Sequence, residues 1–251
     1  MRKSALLVIV ALFLFVSPAL SASIGPIQSR VSAGDAIFGL GYSFTDSRWE
    51  EKGSFSNLEI QQNRFFGQAG YGLSDRWVTY LRAGISTYDA DNATQLDFNF
   101  QGENVVPFVT VGINGLFFEG EVLSIGPFIQ GSYYFGENED SQKFLIGAQS
   151  VKETVTLDNM WEARAGLEFQ MELEGAQLYG GPMYYISRTD INSNVVGLST
   201  GTATLGKTVE EENNFGMVFG VQWNLMEDVT LDLEAQLRSA YDIGLVLNKR
   251  F

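Results

Sequence analysis

The sequence predicts an all-β chain, a closed antiparallel up-and-down transmembrane β-barrel of about ten strands, with eight or twelve as alternative counts. Three observations predict it. Apolar residues recur at every second position along most of the chain after Asp35, charged residues share the opposite face, and the connections alternate between short and long. A soluble up-and-down barrel shares the alternation but packs an apolar interior, so alternation alone does not choose between the two.

The chain opens with Arg2 and Lys3, runs through an apolar stretch from Ala5 to Val16, and reaches Pro18, Ala19, Leu20 and Ser21. That is the form of a cleaved signal peptide over residues 1–21, too short for the roughly 20 apolar residues of a membrane-crossing helix. Residues 22–34, with Gly25 and Pro26, lead in to a single barrel domain over residues 35–251. Losing Arg2 and Lys3 takes the formal charge from −14 to −16, a surface that repels nucleic acid. With no cysteine in the chain, stability must come from something other than disulfides.

The strands follow in order. Ala36 to Phe44 is the first. Residues 57–71 supply the second, with a change of phase between Leu58/Ile60 and Phe65/Gly67 that suggests a bulge or a strand end above the bilayer. Trp77–Thr87, Val105–Phe117 and Ile125–Phe135 alternate cleanly. Trp161, Ala163, Ala165, Leu167, Phe169 and Met171 interleave with Glu162, Arg164, Gly166, Glu168 and Gln170, which helical spacing would mix. Tyr179–Ser187, Phe215–Trp223, Val229–Leu237 and a last strand from Tyr241 to Phe251 complete the ten. Short turns fall at 72–76, 119–124, 172–176 and 224–228, and long loops at 46–56, 89–103, 136–154 and 188–214, with a tight turn near 238–241.

Aromatics gather near strand ends, at Tyr42, Phe44, Tyr71, Trp77, Tyr133, Phe135, Trp161, Tyr185, Trp223 and Tyr241, as two interfacial girdles would. The terminal segment, with Tyr241, Ile243, Leu245 and Leu247 at alternate positions and Phe251 last, resembles the closing strand of bacterial outer-membrane β-barrels, and Lys249 departs from it at an outward position. The joint Gly67-Gln-Ala-Gly-Tyr-Gly-Leu-Ser-Asp-Arg-Trp77 looks like those of small porin-like Gram-negative barrels. The resemblance implies export to the outer membrane, contact with its lipid and lipopolysaccharide, a periplasmic N-terminal lead-in, and a terminal signal in Tyr241, Ile243, Leu245, Leu247 and Phe251 read by the barrel assembly machinery.

Phase turns Arg82, Glu162, Arg164, Glu168, Asp232, Glu234 and Arg238 toward the lumen. Mixed charges there pair, since a lone charge is costly to desolvate, and they form either a plug or the filter of a narrow pore. Histidine is absent from the chain, so the base used by known outer-membrane barrel enzymes is missing, as is the commonest zinc and haem ligand; neither catalysis, a metal nor a cofactor is expected. The expected function is a porin-like or structural barrel with a narrow or plugged lumen, with surface recognition through long acidic loops as the alternative. The loop clusters Asp89/Asp91/Asp97, Glu137/Glu139/Asp140 and Glu210/Glu211/Glu212 offer ligands to divalent cations or simply repel one another in water. Leu96, Phe98 and Phe100 suggest one hairpin standing above the bilayer.

Overall fold

A computed structural model describes residues 25–26, 31–51, 58–91, 100–102, 104–146, 149–198, 201–239 and 241–251. The signal-peptide expectation and that for Leu96 and Phe98 fall outside these residues. In chain order the strands are β1 (Ala36–Glu51), β2 (Leu58–Ser74), β3 (Trp77–Asp91), β4 (Phe100–Gln101), β5 (Val106–Gly115), β6 (Phe118–Glu119), β7 (Leu123–Tyr134), β8 (Asn138–Ile146), β9 (Gln149–Leu173), β10 (Ala176–Leu198), β11 (Gly201–Glu211), β12 (Phe215–Asn224), β13 (Val229–Leu237) and β14 (Tyr241–Arg250).

Ten of them, β1, β2, β3, β5, β7, β9, β10, β12, β13 and β14, pair antiparallel with their neighbours in sequence order. The last, β14, returns to β1 in an unbroken register from Ile37↔Arg250 to Asp46↔Tyr241, which closes the ring. No edge remains at that level, the condition for a sheet to cross a bilayer. The outer surface there is apolar, with Phe38, Leu40, Leu81, Ile129, Leu167 and Leu247 exposed, while Ser43, Gln68, Thr110, Gln130, Glu162 and Gln236 are buried inside. This is the reverse of a soluble barrel. Tyr71, Trp77, Tyr133, Phe135 and Tyr241 stand exposed on the outside, as the girdles require; Tyr185 does not, because odd positions of β10 face inward and bury it.

The long connections differ from expectation. A tilted strand crosses a bilayer in about 9–11 residues, yet β9 has 25 and β10 has 23. The stretches read as loops at 136–154 and 188–214 are largely strand: β8 pairs with β9, and β11 with β10 and with the end of β1 at Trp49↔Glu211. Above the level where β12, β13 and β14 stop, β11 fills the gap between β10 and β1. The interior of this outer storey is mostly apolar, with Trp49, Leu58, Ile60, Tyr88, Phe100, Val155, Leu157, Ile191 and Val209 in one cluster and Asn138 and Glu153 buried beside it.

That inversion explains the phase change in the second strand. The register of β2 with β1 runs without a slip from Leu58 to Tyr71, so there is no bulge between Leu58 and Phe65. Even residues face inward throughout, and what changes is the interior, from apolar around Leu58 and Ile60 to polar at Arg64. A true bulge lies in β9, where the register with β10 slips between Arg188 and Asp190 and Asn159 takes a left-handed φ of 51°. Asn tolerates that region better than most residues. The slip turns Val151, Val155 and Leu157 inward above it and Glu162, Arg164 and Glu168 inward below it.

Candidate functional site

Ten strands leave a lumen narrow enough for side chains from opposite walls to meet. At mid-height Glu162 of β9 receives Arg164 of its own strand at 2.9 Å, Arg64 of β2 at 3.1 Å and Arg238, just beyond β13, at 3.3 Å. Asp242 of β14 lies against the same three guanidinium groups, 3.1 Å from Arg164, 3.4 Å from Arg64 and 3.5 Å from Arg238. Arg238 also pairs with Glu211 of β11. Three arginines therefore meet three carboxylates, all buried. Buried charges are tolerable only when paired and hydrogen-bonded, and the remaining donors of the three guanidinium groups are occupied except Arg164 Nε. Arg64 donates to Thr45 at 2.7 Å, Ser43 at 2.9 Å and the Tyr134 hydroxyl at 3.0 Å; Arg164 donates to Gln236 at 2.6 Å and Arg238 to Ser187 at 2.8 Å. The Arg238 guanidinium lies 4.6 Å from the centre of the Tyr185 ring.

Below this cluster, toward the short turns, Arg82 stacks 4.4 Å over Tyr80 and donates to Gln68 Oε1 at 2.6 Å. Gln68 donates in turn to Asn248 Oδ1 at 3.1 Å, and Asn248 to Asp232 Oδ2 at 2.8 Å. The Tyr179 hydroxyl and the Gln236 amide donate to the two oxygens of Glu234, at 3.0 and 2.7 Å. Glu168 is fully buried in the same layer. The lead-in then enters the mouth: the Gly25 N–H donates to Glu234 Oε2 at 3.1 Å, and Asn114 Nδ2 donates to the Gly25 carbonyl at 3.1 Å. Gly34 and Gly72 link the lead-in to the first short turn, where a side chain at Gly72 would run into the Ser32 carbonyl.

The structure places all seven sequence-predicted lumen residues inside, in two groups. Glu162, Arg164 and Arg238 meet at mid-height, and Arg82, Glu168, Asp232 and Glu234 lie below. Sequence reading missed Arg64, Asp242 and Glu211. Arg64 lies in the segment with the change of phase, Asp242 in a strand read for its outward face, and Glu211 in an acidic run read as a loop tip; a two-residue count from Gln68 or Gly244 turns the first two inward. On the outward face of β14, Tyr241 and Leu247 are exposed, Ile243 and Leu245 are half-buried, and Phe251 follows with its ring 5.8 Å from that of Phe38.

In the outer storey, Asp158 beside the bulge faces Asp190 across the strand pair, and Asn159 donates to both. Partial desolvation, with Asp190 and Glu137 nearby, raises the Asp158 carboxyl above its usual range.

No family model and no curated protein matches the sequence. Solved structures do. The translocator domain of the autotransporter NalP from Neisseria meningitidis aligns over 89% of this chain and 90% of its own, at a TM-score of 0.50 and 10% identity. The fold is that of an outer-membrane β-barrel. The outer membrane protease OmpT from Escherichia coli covers 86% of this chain and 96% of its own, at 0.46 and 10%, and the outer membrane protein OprG from Pseudomonas aeruginosa 89% and 99%, at 0.34 and 14%.

Proposed function

We propose that this chain is a sealed bacterial outer-membrane barrel with a structural role, its lumen a plug and not a conduction path, and that it is not an enzyme. The observation that carries the reading is the stacking along the axis. An apolar core fills the outer storey, a balanced cluster of three arginines and three carboxylates fills the middle, and a layer of amides, tyrosines and charged side chains with Gly25 narrows the short-turn end. An ion crossing would have to part a buried ion-pair network and then shed its water among aromatic rings. On this reading the outward face of β14 with Phe251 is the assembly signal, and lipid and lipopolysaccharide surround the wall.

Planar-bilayer recording of the folded chain tests it. A heat-modifiable, β-structured barrel that stays electrically silent is the expected result, and discrete single-channel steps from the unmodified chain would refute the plug.

A second reading, surface recognition, is favoured by the outer storey itself. The outward sides of β8, β9, β10 and β11 line up Ser141, Thr154, Asn194 and Thr204 in one row, from which a rigid polar face projects above the membrane. Excising residues 192–209 as a loop would cut away half of this sheet. Asn194→Glu with Thr204→Glu is the cleaner test: recognition should be lost while the barrel remains folded.

A further inference from the structure

The mid-lumen cluster balances its charges, but the layer below it does not. Among the described residues, Arg82 is the single buried cation there, against the buried Glu168, Asp232 and Glu234. Beside this layer, open toward the short turns, lies a cavity of about 50 Å³ whose wall includes Asp232, Gln222, Asn248, Tyr80, Gly25 and Pro26. A few water-sized bodies fit in that volume.

Two oxygens on the wall have no donor: Asp232 Oδ1 and Gln222 Oε1, on side chains each 4% exposed. They are direct cross-strand neighbours, since Gln222 of β12 pairs with Asp232 of β13. Gln177 of β10, the next residue in the same row but not on the cavity wall, is 3% exposed and its Oε1 likewise has no donor. The orientation of the neighbouring amides is fixed from outside. Arg82 can only donate, so Gln68 must present its oxygen to Arg82 and its N–H₂ to Asn248, and Asn248 its N–H₂ to Asp232 Oδ2. The relay occupies Oδ2 and leaves Oδ1 for another partner. Buried oxygens in a row without hydrogen-bond donors are costly, and a positive charge set between them removes that cost.

We propose that this cavity is a site for a hard divalent cation of the calcium class. All the donors on offer are carboxylate and amide oxygens with room for water, and no sulfur or imidazole is present, which suits Ca²⁺ better than a transition metal. The site rests on one carboxylate with amide oxygens; among the described residues no three acidic side chains converge to hold a metal. It lies at the opposite end of the molecule from the acidic outer connections, and Glu227 and Asp228 line it together with Arg82 and Arg250. The cation would tie β12, β13 and the Gly25 segment together at the mouth.

Titration of the folded chain in calcium-free detergent micelles with Tb³⁺ tests the site, because Tyr80 on the cavity wall can sensitise terbium emission. The expected result is an emission component that Ca²⁺ displaces. Asp232→Asn and, without a change of charge, Gln222→Leu should weaken that component tenfold or more, whereas Glu210→Gln with Glu212→Gln in the outer storey should leave it unchanged. Ca²⁺ should also raise the temperature at which the unmodified barrel loses its compact gel form, and should not do so for Gln222→Leu. If the emission survives both cavity variants, the ion sits elsewhere and the proposal is wrong. A melting temperature that answers to pH and not to Ca²⁺ would equally overturn it, assigning the gap between the oxygens to a proton.

Discussion

Replacing Arg164 with methionine takes one of three cations out of a buried cluster without leaving a large void. The guanidinium makes ion pairs to Glu162 at 2.9 Å and Asp242 at 3.1 Å and a hydrogen bond to Gln236 at 2.6 Å, and its side chain is fully buried. Removing one partner from a buried ion pair costs about 3–5 kcal/mol, because the other charge is left uncompensated. Here Glu162 keeps Arg64 at 3.1 Å and Arg238 at 3.3 Å, so the loss should fall near the lower end, about 3 kcal/mol. Urea unfolding of the chain in lipid vesicles, followed by tryptophan fluorescence, reads this as a fall in midpoint at constant slope. The double variant Arg164→Met, Glu162→Gln should recover part of the loss, since it also removes the stranded charge. A loss below about 1 kcal/mol would mean that the cluster behaves like an exposed ion pair in a water-filled pore, and the sealed-lumen reasoning would fall with it.

Trp49→Ala empties the centre of the outer core, where Trp49 is 2% exposed; a cost of about 3–5 kcal/mol should appear as loss of the outer storey to protease while the membrane ring keeps its heat-modifiable migration. Gly72→Ala should free the lead-in and leave the ring closed, because the added methyl meets the Ser32 carbonyl, and a protease cutting only before Asp35 measures it. The Asp158 carboxyl is raised by partial desolvation first and by Asp190 and Glu137 second, so the folded state holds its proton to higher pH than the unfolded chain does. Lowering the pH through that raised value should therefore stabilise the outer hairpins. Hydrogen exchange around residues 154–158 and 190–194, corrected for intrinsic rates, should slow accordingly, and Asp158→Asn should give the slow rates already at neutral pH.

The ten membrane strands were legible because lipid and lumen force a strict two-residue code, and Val229–Leu237 or Trp161–Met171 carry it without interruption. The outer storey was not legible, because both its faces mislead. Its outside is largely Ser, Thr, Asn and Lys, as in Ser141, Lys143, Thr154 and Asn194, which reads as loop, and most of its apolar residues point in, as in a soluble protein, with Leu145, Val196 and Leu205 as exposed exceptions. The Asn159 bulge then puts the two halves of β9 out of step, so that Val155 and Leu157, in the same odd phase as the lipid-facing set from Trp161 to Met171, turn inward where the sequence pattern points them outward. Within the lumen, phase turned seven charged residues inward, where the structure buries their side chains, but pairing depends on which walls face each other. No local pattern reveals that Arg64 and Glu162, 98 positions apart, meet.

Because water above and lipid below demand opposite outsides, the rows where the interior changes from Arg64 and Glu162 to Ile60 and Leu157 also record where the hydrocarbon ends on the exterior. The chain thus carries its own depth gauge. Riding one residue pair higher would lift Phe- and Leu-bearing rows into water, and sinking by one would drag the Thr and Asn rows into hydrocarbon, so the height of the outer face above the bilayer is set by the sequence and not by the thickness of any particular membrane.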